Sequence, residues 1–295
     1  MTEGALQFGR YRVASVLHHG RTGVVYLASF VGSSKMVAVK ALDPAVGNDL
    51  VLRERFIRGA RAMALVRSPH LASIYEVGVQ MPSGNVWCAM ELIEGRSLAV
   101  AQVADGQLRP LSALHVARQI ASALAAVHAG GVIHRNVKPA NVMLTARGGD
   151  PLFVRLVGFG LVKLVGDTGD ELTARGAVVG TPAYMAPEAL RDSSSVDARA
   201  DLYSFGCVLY ELLTGSLPYP VEPRSAAEQL RAKLQGPPPL GVDPTVDDLL
   251  ASLLAPEKHL RPRTMDEVSA ALDRVLLDDD LPTRRDVPVP PKPRA

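Results

Sequence analysis

The strongest constraint on this chain is a change of hydrophobic period at Glu94-Gly95. Before it, residues 13–17, 24–30 and 36–42 are short runs rich in Val, Ala and Leu, separated by Gly and Ser, which is the pattern of strands. Residues 51–66 interrupt them, with Phe56, Ile57, Ala60, Met63 and Ala64 at helical spacing. Two further strands are expected near 72–79 and 86–92. After the break the period is helical. Leu111, Leu114, Ile120, Ala121, Leu124 and Val127 mark a helix ending at Gly130-Gly131, and more helices are expected over 201–213, 226–234, 246–254 and 265–277. The chain therefore reads as α+β and bilobal: a small β-rich N-lobe with one main helix, then a larger and mainly helical C-lobe.

Composition narrows the function classes. Hydrophobic residues make up 47% of the chain and charged residues 21%, enough to bury a core. Lys plus Arg number 32 against 30 Asp plus Glu, so no electrostatic case arises for nucleic acid or an anionic membrane. Cys88 and Cys207 sit in apolar runs and are expected as buried free thiols. Residues 1–9 lack the apolar core of a secretory signal, and no run reaches the length of a membrane span, so a cytoplasmic protein is expected. The proline-rich residues 278–295, with Arg and Lys interspersed, read as a disordered tail or juxtamembrane linker.

Four segments carry the chemistry. Gly20-x-x-Gly23-x-Val25-Tyr26 is a glycine hairpin of the kind that brings backbone N–H groups against phosphate oxygens. Val37-Ala38-Val39-Lys40 ends in a lysine on an apolar strand. His134-Arg135-Asn136-Val137-Lys138-Pro139-Ala140-Asn141 and Gly180-Thr181-Pro182-Ala183-Tyr184-Met185-Ala186-Pro187-Glu188 are the other two. In this order and on these elements, the chain resembles a protein kinase domain, most similar to the eukaryote-like Ser/Thr kinases of bacteria. The likeness covers residues 8–277, with the N-lobe at 8–93 and the C-lobe at 94–277.

What the resemblance implies is mixed. Gly20 and Gly23 would cover the nucleotide phosphates, although His18 replaces the first glycine of the family pattern, and His18, His19 and Arg21 could reshape that roof. Val25, Ala38 and Met143 would sandwich adenine, Glu91 and Ile93 lie on the hinge that binds it, and Lys40 would pair with phosphate. Three expected carboxylates are absent. Gly59 stands where the lysine's helix glutamate belongs, and Glu54, five residues away, is about 140° round the helix. Asn136 stands at the base position, where a carboxamide has negligible basicity. Gly158, in Val157-Gly158-Phe159-Gly160, replaces the aspartate that chelates magnesium, leaving Asn141 as the only residual ligand. Lys138 is kept.

Much of what else is kept serves the scaffold. Glu188 would pair with Arg261, Asp201 would hold the catalytic-loop backbone, and Met63, Ile74, His134 and Phe159 would stack in one column. Arg135 would dock a phosphorylated activation segment carrying Thr173 and Thr181. The expectation is a pseudokinase: a regulatory or scaffolding module that binds a partner kinase or a phospho-dependent signalling protein, with homodimers open. ATP would bind weakly or without metal, and a magnesium ion is not expected to be held. The alternatives are a slow or non-standard Ser/Thr kinase transferring phosphoryl or nucleotidyl groups, and a non-catalytic nucleotide sensor. Thr283, beside Arg284 and Arg285, is a candidate phosphorylation site on a tail that, in many such kinases, leads to a membrane anchor.

Overall fold

A computed structural model describes residues 6–20, 22–44, 49–81, 83–158, 163–164, 181–192, 195–219, 226–238, 240 and 244–277. The N-lobe sheet contains β1 (Gln7–Phe8), β2 (Tyr11–Gly20), β3 (Gly23–Phe30), β4 (Met36–Leu42), β5 (Ile74–Gln80) and β6 (Asn85–Glu91). These strands pair antiparallel in the order β1-β2-β3-β4-β6-β5. Helix α1 (Leu50–Leu65) packs on this sheet through β5 and β6.

Strand alternation divides the apolar residues between two cores. Val37, Val39 and Ala41 of β4, with Trp87 and Ala89 of β6, face outward under Phe8 and Tyr11. The odd-and-even partners Ala38 and Leu42, Val86, Cys88 and Met90 join the larger core on the inner face. Lys40 shares that inner parity, so β4 itself aims its ammonium into the cleft.

The C-lobe follows as β7 (Arg96–Ser97), α2 (Leu98–Asp105), α3 (Pro110–Ala129), β8 (Val132–Ile133), β9 (Val142–Arg147), β10 (Asp150–Leu156) and β11 (Lys163–Leu164). Helices α4 (Pro187–Arg191), α5 (Arg199–Thr214), α6 (Ala226–Leu234), α7 (Pro244–Leu253) and α8 (Met265–Leu277) complete it. Helix α5 is buried nearly all round, which fits its continuous apolar sequence and its place between α3 and α7. Backbone bonds at Leu156 help to join the lobes: Leu156 N–H donates to His70 O at 2.8 Å, and Ala72 N–H donates to Leu156 O at 3.1 Å.

The sequence expectations for strands 13–17, 24–30 and 36–42 and for helix 51–66 fall on β2, β3, β4 and α1. Helix α2 was not expected, because eight residues directly after the hinge are too short for a period to show. The two-residue strands β7, β8 and β11 depend on distant partners and leave no local signal. Cys88 and Cys207 are free and buried, as expected. Among the described residues no helix is long and apolar enough to cross a membrane.

Gly23 has a backbone reason to be glycine. Its φ is +143°, and a Cβ there would lie 2.0 Å from the Ala41 carbonyl oxygen of the neighbouring strand. Gly23→Ala is expected to destabilise the protein by about 1–3 kcal/mol, measured by urea unfolding, independently of any ligand.

Candidate functional site

The site is built around a loop of unusual backbone. Arg135 has φ +62°, and it is the one non-glycine residue in the left-handed region among those described. Such a conformation persists only where its surroundings over-determine it. Asp201, at the start of α5 and fully buried, supplies the hold: its two oxygens accept the His134 and Arg135 N–H groups, each at 2.8 Å. His128 Nε2 lies 2.8 Å from the same carboxylate. Burial pushes the Asp201 pKa up, but the His128 hydrogen bond, the neighbouring imidazoles and the loop N–H groups outweigh it and hold the carboxyl below its ordinary range. The structure thus places Asp201 in the role expected from sequence. His128 was missed: nothing local marks a histidine whose partner lies 73 positions away.

His134 is fully buried below the loop. Its Nδ1 accepts the Asn136 N–H at 3.2 Å, so Nε2 carries the proton and donates to Val157 O, also at 3.2 Å. Burial lowers its pKa more than Asp201 and the Val157 carbonyl raise it. A histidine held neutral in the fold stabilises fully above its unfolded pKa of about 6.5, and that contribution is lost as pH falls below it. The partly buried His70 is shifted the same way, chiefly by burial. The urea midpoint should therefore be lower at pH 5.5 than at pH 7.5, and the difference should shrink in His134→Leu.

Asn136, Lys138, Asn141 and Gly158 meet in one network. Asn141 donates through Nδ2 to Asn136 O at 2.7 Å, its carbonyl accepts the Val157 N–H at 2.9 Å, and its own N–H donates to Lys138 O at 2.9 Å. Gly158 has φ +93°, and a Cβ there would fall 2.6 Å from Asn141 Cγ. The Asn141 amide fills the space from which a side chain at 158 would start. Lys138 Nζ donates to Thr181 Oγ1 at 2.9 Å, which ties the loop to the turn at Pro182–Tyr184.

Lys40 stands in register with Val25 on one side and Cys88 on the other. Burial lowers its pKa, the Cys88 thiol opposes that shift, and the Lys138 ammonium adds to it. No carboxylate pairs with Lys40 among the described residues. Gly59 lies on the buried face of α1 with Phe56, Ala60 and Met63, while Glu54 is exposed on the opposite side. The helical geometry inferred from sequence therefore holds for both.

Ala38 pairs across to Met90, Gly20 pairs with Gly23, and Met143 of β9 pairs with Arg155 and Ser97. The Glu91 carboxylate is committed to structure, accepting the Ser73 N–H at 3.1 Å and a bond from the Arg155 guanidinium. Neither the N–H nor the carbonyl of Ile93 has a backbone partner among the described residues. Below the loop, a groove of about 600 Å³ runs past Lys138, Thr181, Val103 and Tyr184 to Glu211. Tyr184 donates to Glu211 Oε2 at 2.7 Å, and burial raises the Glu211 pKa despite that bond.

Glu188 and Arg261 form the expected ion pair, with Nη1–Oε1 at 2.7 Å and Nη2–Oε2 at 2.8 Å. Sequence did not single out Lys233, which is fully buried between Tyr203 and Tyr219 and donates to Ala183 O at 2.8 Å. Met63 and Ile74 are core residues, whereas Phe159, Arg21, Thr173 and Thr283 lie outside the described residues.

An antiparallel sheet with one helix, set over a helical lobe and a loop gripped by a buried aspartate, is a kinase-type architecture. The protein kinase domain model matches residues 11–271, and the chain belongs to that family. It is 35% identical over 301 residues to the serine/threonine-protein kinase PknH of Mycobacterium tuberculosis, covering 97% of this chain and 46% of that protein. Against PknB of the same organism identity is 35% over 272 residues, covering 90% and 43%. The crystal structure of the M. tuberculosis PknI kinase domain superposes with a TM-score of 0.68 at 26% identity, covering 93% of this chain and 99% of that one. The chain spans less than half the length of the curated relatives it matches.

Proposed function

We propose that this kinase domain does not transfer phosphate and serves as a regulatory or scaffolding module, docking on a partner kinase or another signalling protein. One observation carries the reading: no carboxylate stands at 59, 136 or 158, and the Asn141 amide occupies the space beside Gly158. A transfer site needs a group to take the hydroxyl proton and a metal to bridge the phosphates. Asn136 can accept a hydrogen bond but not the proton, and glycine offers no ligand. The intact grip of Asp201 and the Glu188–Arg261 pair support the view that the scaffold is what this chain uses. After long incubation with ATP and magnesium or manganese, intact-mass spectrometry should find no phosphoryl or nucleotidyl adduct. Accumulation of either adduct in proportion to time would reject the proposal in favour of a slow or non-standard transferase.

Nucleotide binding without chemistry is a second reading, favoured by the open backbone groups of Ile93 and by Lys40, which pairs with no carboxylate among the described residues. Under it, Val25, Ala38 and Met143 hold adenine, the Gly20–Gly23 hairpin and Lys40 receive phosphate, and occupancy tunes the surface offered to a partner. A cytoplasmic location belongs to this proposal as well.

A further inference from the structure

A further cavity, of about 380 Å³, lies where the segment joining the lobes meets the β9–β10 hairpin. A Cβ on Gly95 would fall 2.2 Å from Leu144 O, so the joining segment rests directly on β9. Pro151 and Leu152 form one wall, at a register break in the β9–β10 pair. That break is fixed from α3. His115 Nε2 lies 2.8 Å from Asp150 Oδ2, Gln119 Nε2 donates to Leu152 O at 3.0 Å, and Asp150 Oδ1 accepts the Leu152 N–H at 2.8 Å. The charged residues lining the cavity are Glu94 and Arg96. Arg96 donates through Nη1 to Asp105 Oδ1 at 2.9 Å, whereas Glu94 is exposed and has no cation paired with it among the described residues. The cavity is therefore an apolar trough with one open carboxylate at its rim.

We infer that this cavity is the docking site of the chain's own proline-rich tail, with Val287 and Val289 against Pro151 and Leu152 and an arginine of Arg284-Arg285 at Glu94. The last described residue, Leu277 on α8, is exposed. Four residues before it, Asp273 accepts from Arg118 Nη2 at 3.0 Å, and Arg118 stands one helical turn from His115. The exit of the tail and the wall of the cavity thus hang on neighbouring turns of one helix. Val287 is ten residues past Leu277, about 30 Å of reach in polyproline II form. The run Val287-Pro288-Val289-Pro290-Pro291 has little conformational freedom to lose and few backbone donors to desolvate, which suits an apolar trough. An exposed Arg–Glu contact adds little energy, so the apolar contact carries the affinity and the arginine sets the register. The tether holds the tail at an effective concentration in the millimolar range, so a weak contact suffices. Docked there, the tail braces residues 94–96, where the lobes join.

Trypsin cleavage after Arg284 and Arg285 in the folded full chain tests this, with a synthetic peptide of residues 278–295 as the unprotected reference. Release of the tail fragment should be at least about tenfold slower from the protein than from the peptide, at a ratio independent of protein concentration. Glu94→Arg, and separately the Val287→Ser, Val289→Ser double variant measured against a peptide with the same changes, should return most of the lost rate while the urea midpoint stays unchanged. Equal rates for protein and peptide overturn the inference. Protection left intact by either variant places the tail elsewhere and overturns it as well, and protection that grows with concentration gives the tail to a second copy and does the same.

Discussion

Arg261→Ala is expected to destabilise the protein by about 3–5 kcal/mol, the largest loss foreseen for any single truncation in the C-lobe. The guanidinium has all five N–H donors engaged. Nε donates to Ala255 O at 2.9 Å, Nη1 to Glu188 Oε1 and Arg199 O, and Nη2 to Glu188 Oε2 and Pro256 O. Its side chain has no exposed surface, and the plane lies over the Tyr203 ring at 4.8 Å. Truncation leaves the Glu188 carboxylate, itself nearly buried, without a counter-charge, and it removes a donor from each of three backbone carbonyls. The size of the loss comes from those stranded groups more than from the pair's net attraction. Arg261→Lys should recover little, because an ammonium cannot reproduce a five-donor planar fork. Urea unfolding at pH 7.5 measures both, and the Glu188→Ala, Arg261→Ala double variant should lose less than the sum of the single losses. A loss below about 1 kcal/mol for Arg261→Ala would mean that the pair does not fasten α4 to the lobe.

The second large effect concerns chemistry. Asn136→Asp alone should give no measurable phosphoryl transfer, although it restores a base whose typical contribution is about 10²–10⁴-fold. The phosphates would still lack a bridging metal, and Lys40 its positioning partner. Gly158→Asp alone should also fail and should lower stability by about 1–3 kcal/mol, because a Cβ there strikes the Asn141 amide and φ +93° suits only glycine. The combined Gly59→Glu, Asn136→Asp, Gly158→Asp variant should transfer phosphate at least about 10²-fold above the unmodified protein. Transfer by Asn136→Asp alone would show that a metal is held without residue 158.

Much of this site was legible because the informative residues are contiguous. Spacing alone places Asn136, Lys138 and Asn141 on one loop, and strand parity on β4 aims Lys40 inward. The helical period sends Gly59 and Glu54 to opposite faces of α1, and both are found there. Other features could not be read. That Asn141 turns back onto Asn136 O and fills the space beside Gly158 depends on a side-chain rotamer and on the sign of one φ angle. The His128–Asp201 contact and the box around Lys233 join residues far apart in sequence, and neither type of residue carries a periodic signal. Helix α2 escaped because its alternating Leu, Ala and Val suit a strand as well as a helix, and only its Ser97 cap, accepting the Val100 N–H at 3.3 Å, marks the start.

The loss of charge at the cleft connects these results. Three positions that carry carboxylates in the kinase pattern carry Gly59, Asn136 and Gly158 here, while the groups that shape the loop and fasten the activation segment are intact. The central claim is that the fold persists without the reaction. Its most direct test is transfer of radiolabelled phosphate from ATP, to the chain itself and to a generic protein substrate, with magnesium or manganese present. The unmodified protein should be indistinguishable from Lys40→Ala in both; incorporation clearly above that control, growing with time, would contradict the claim.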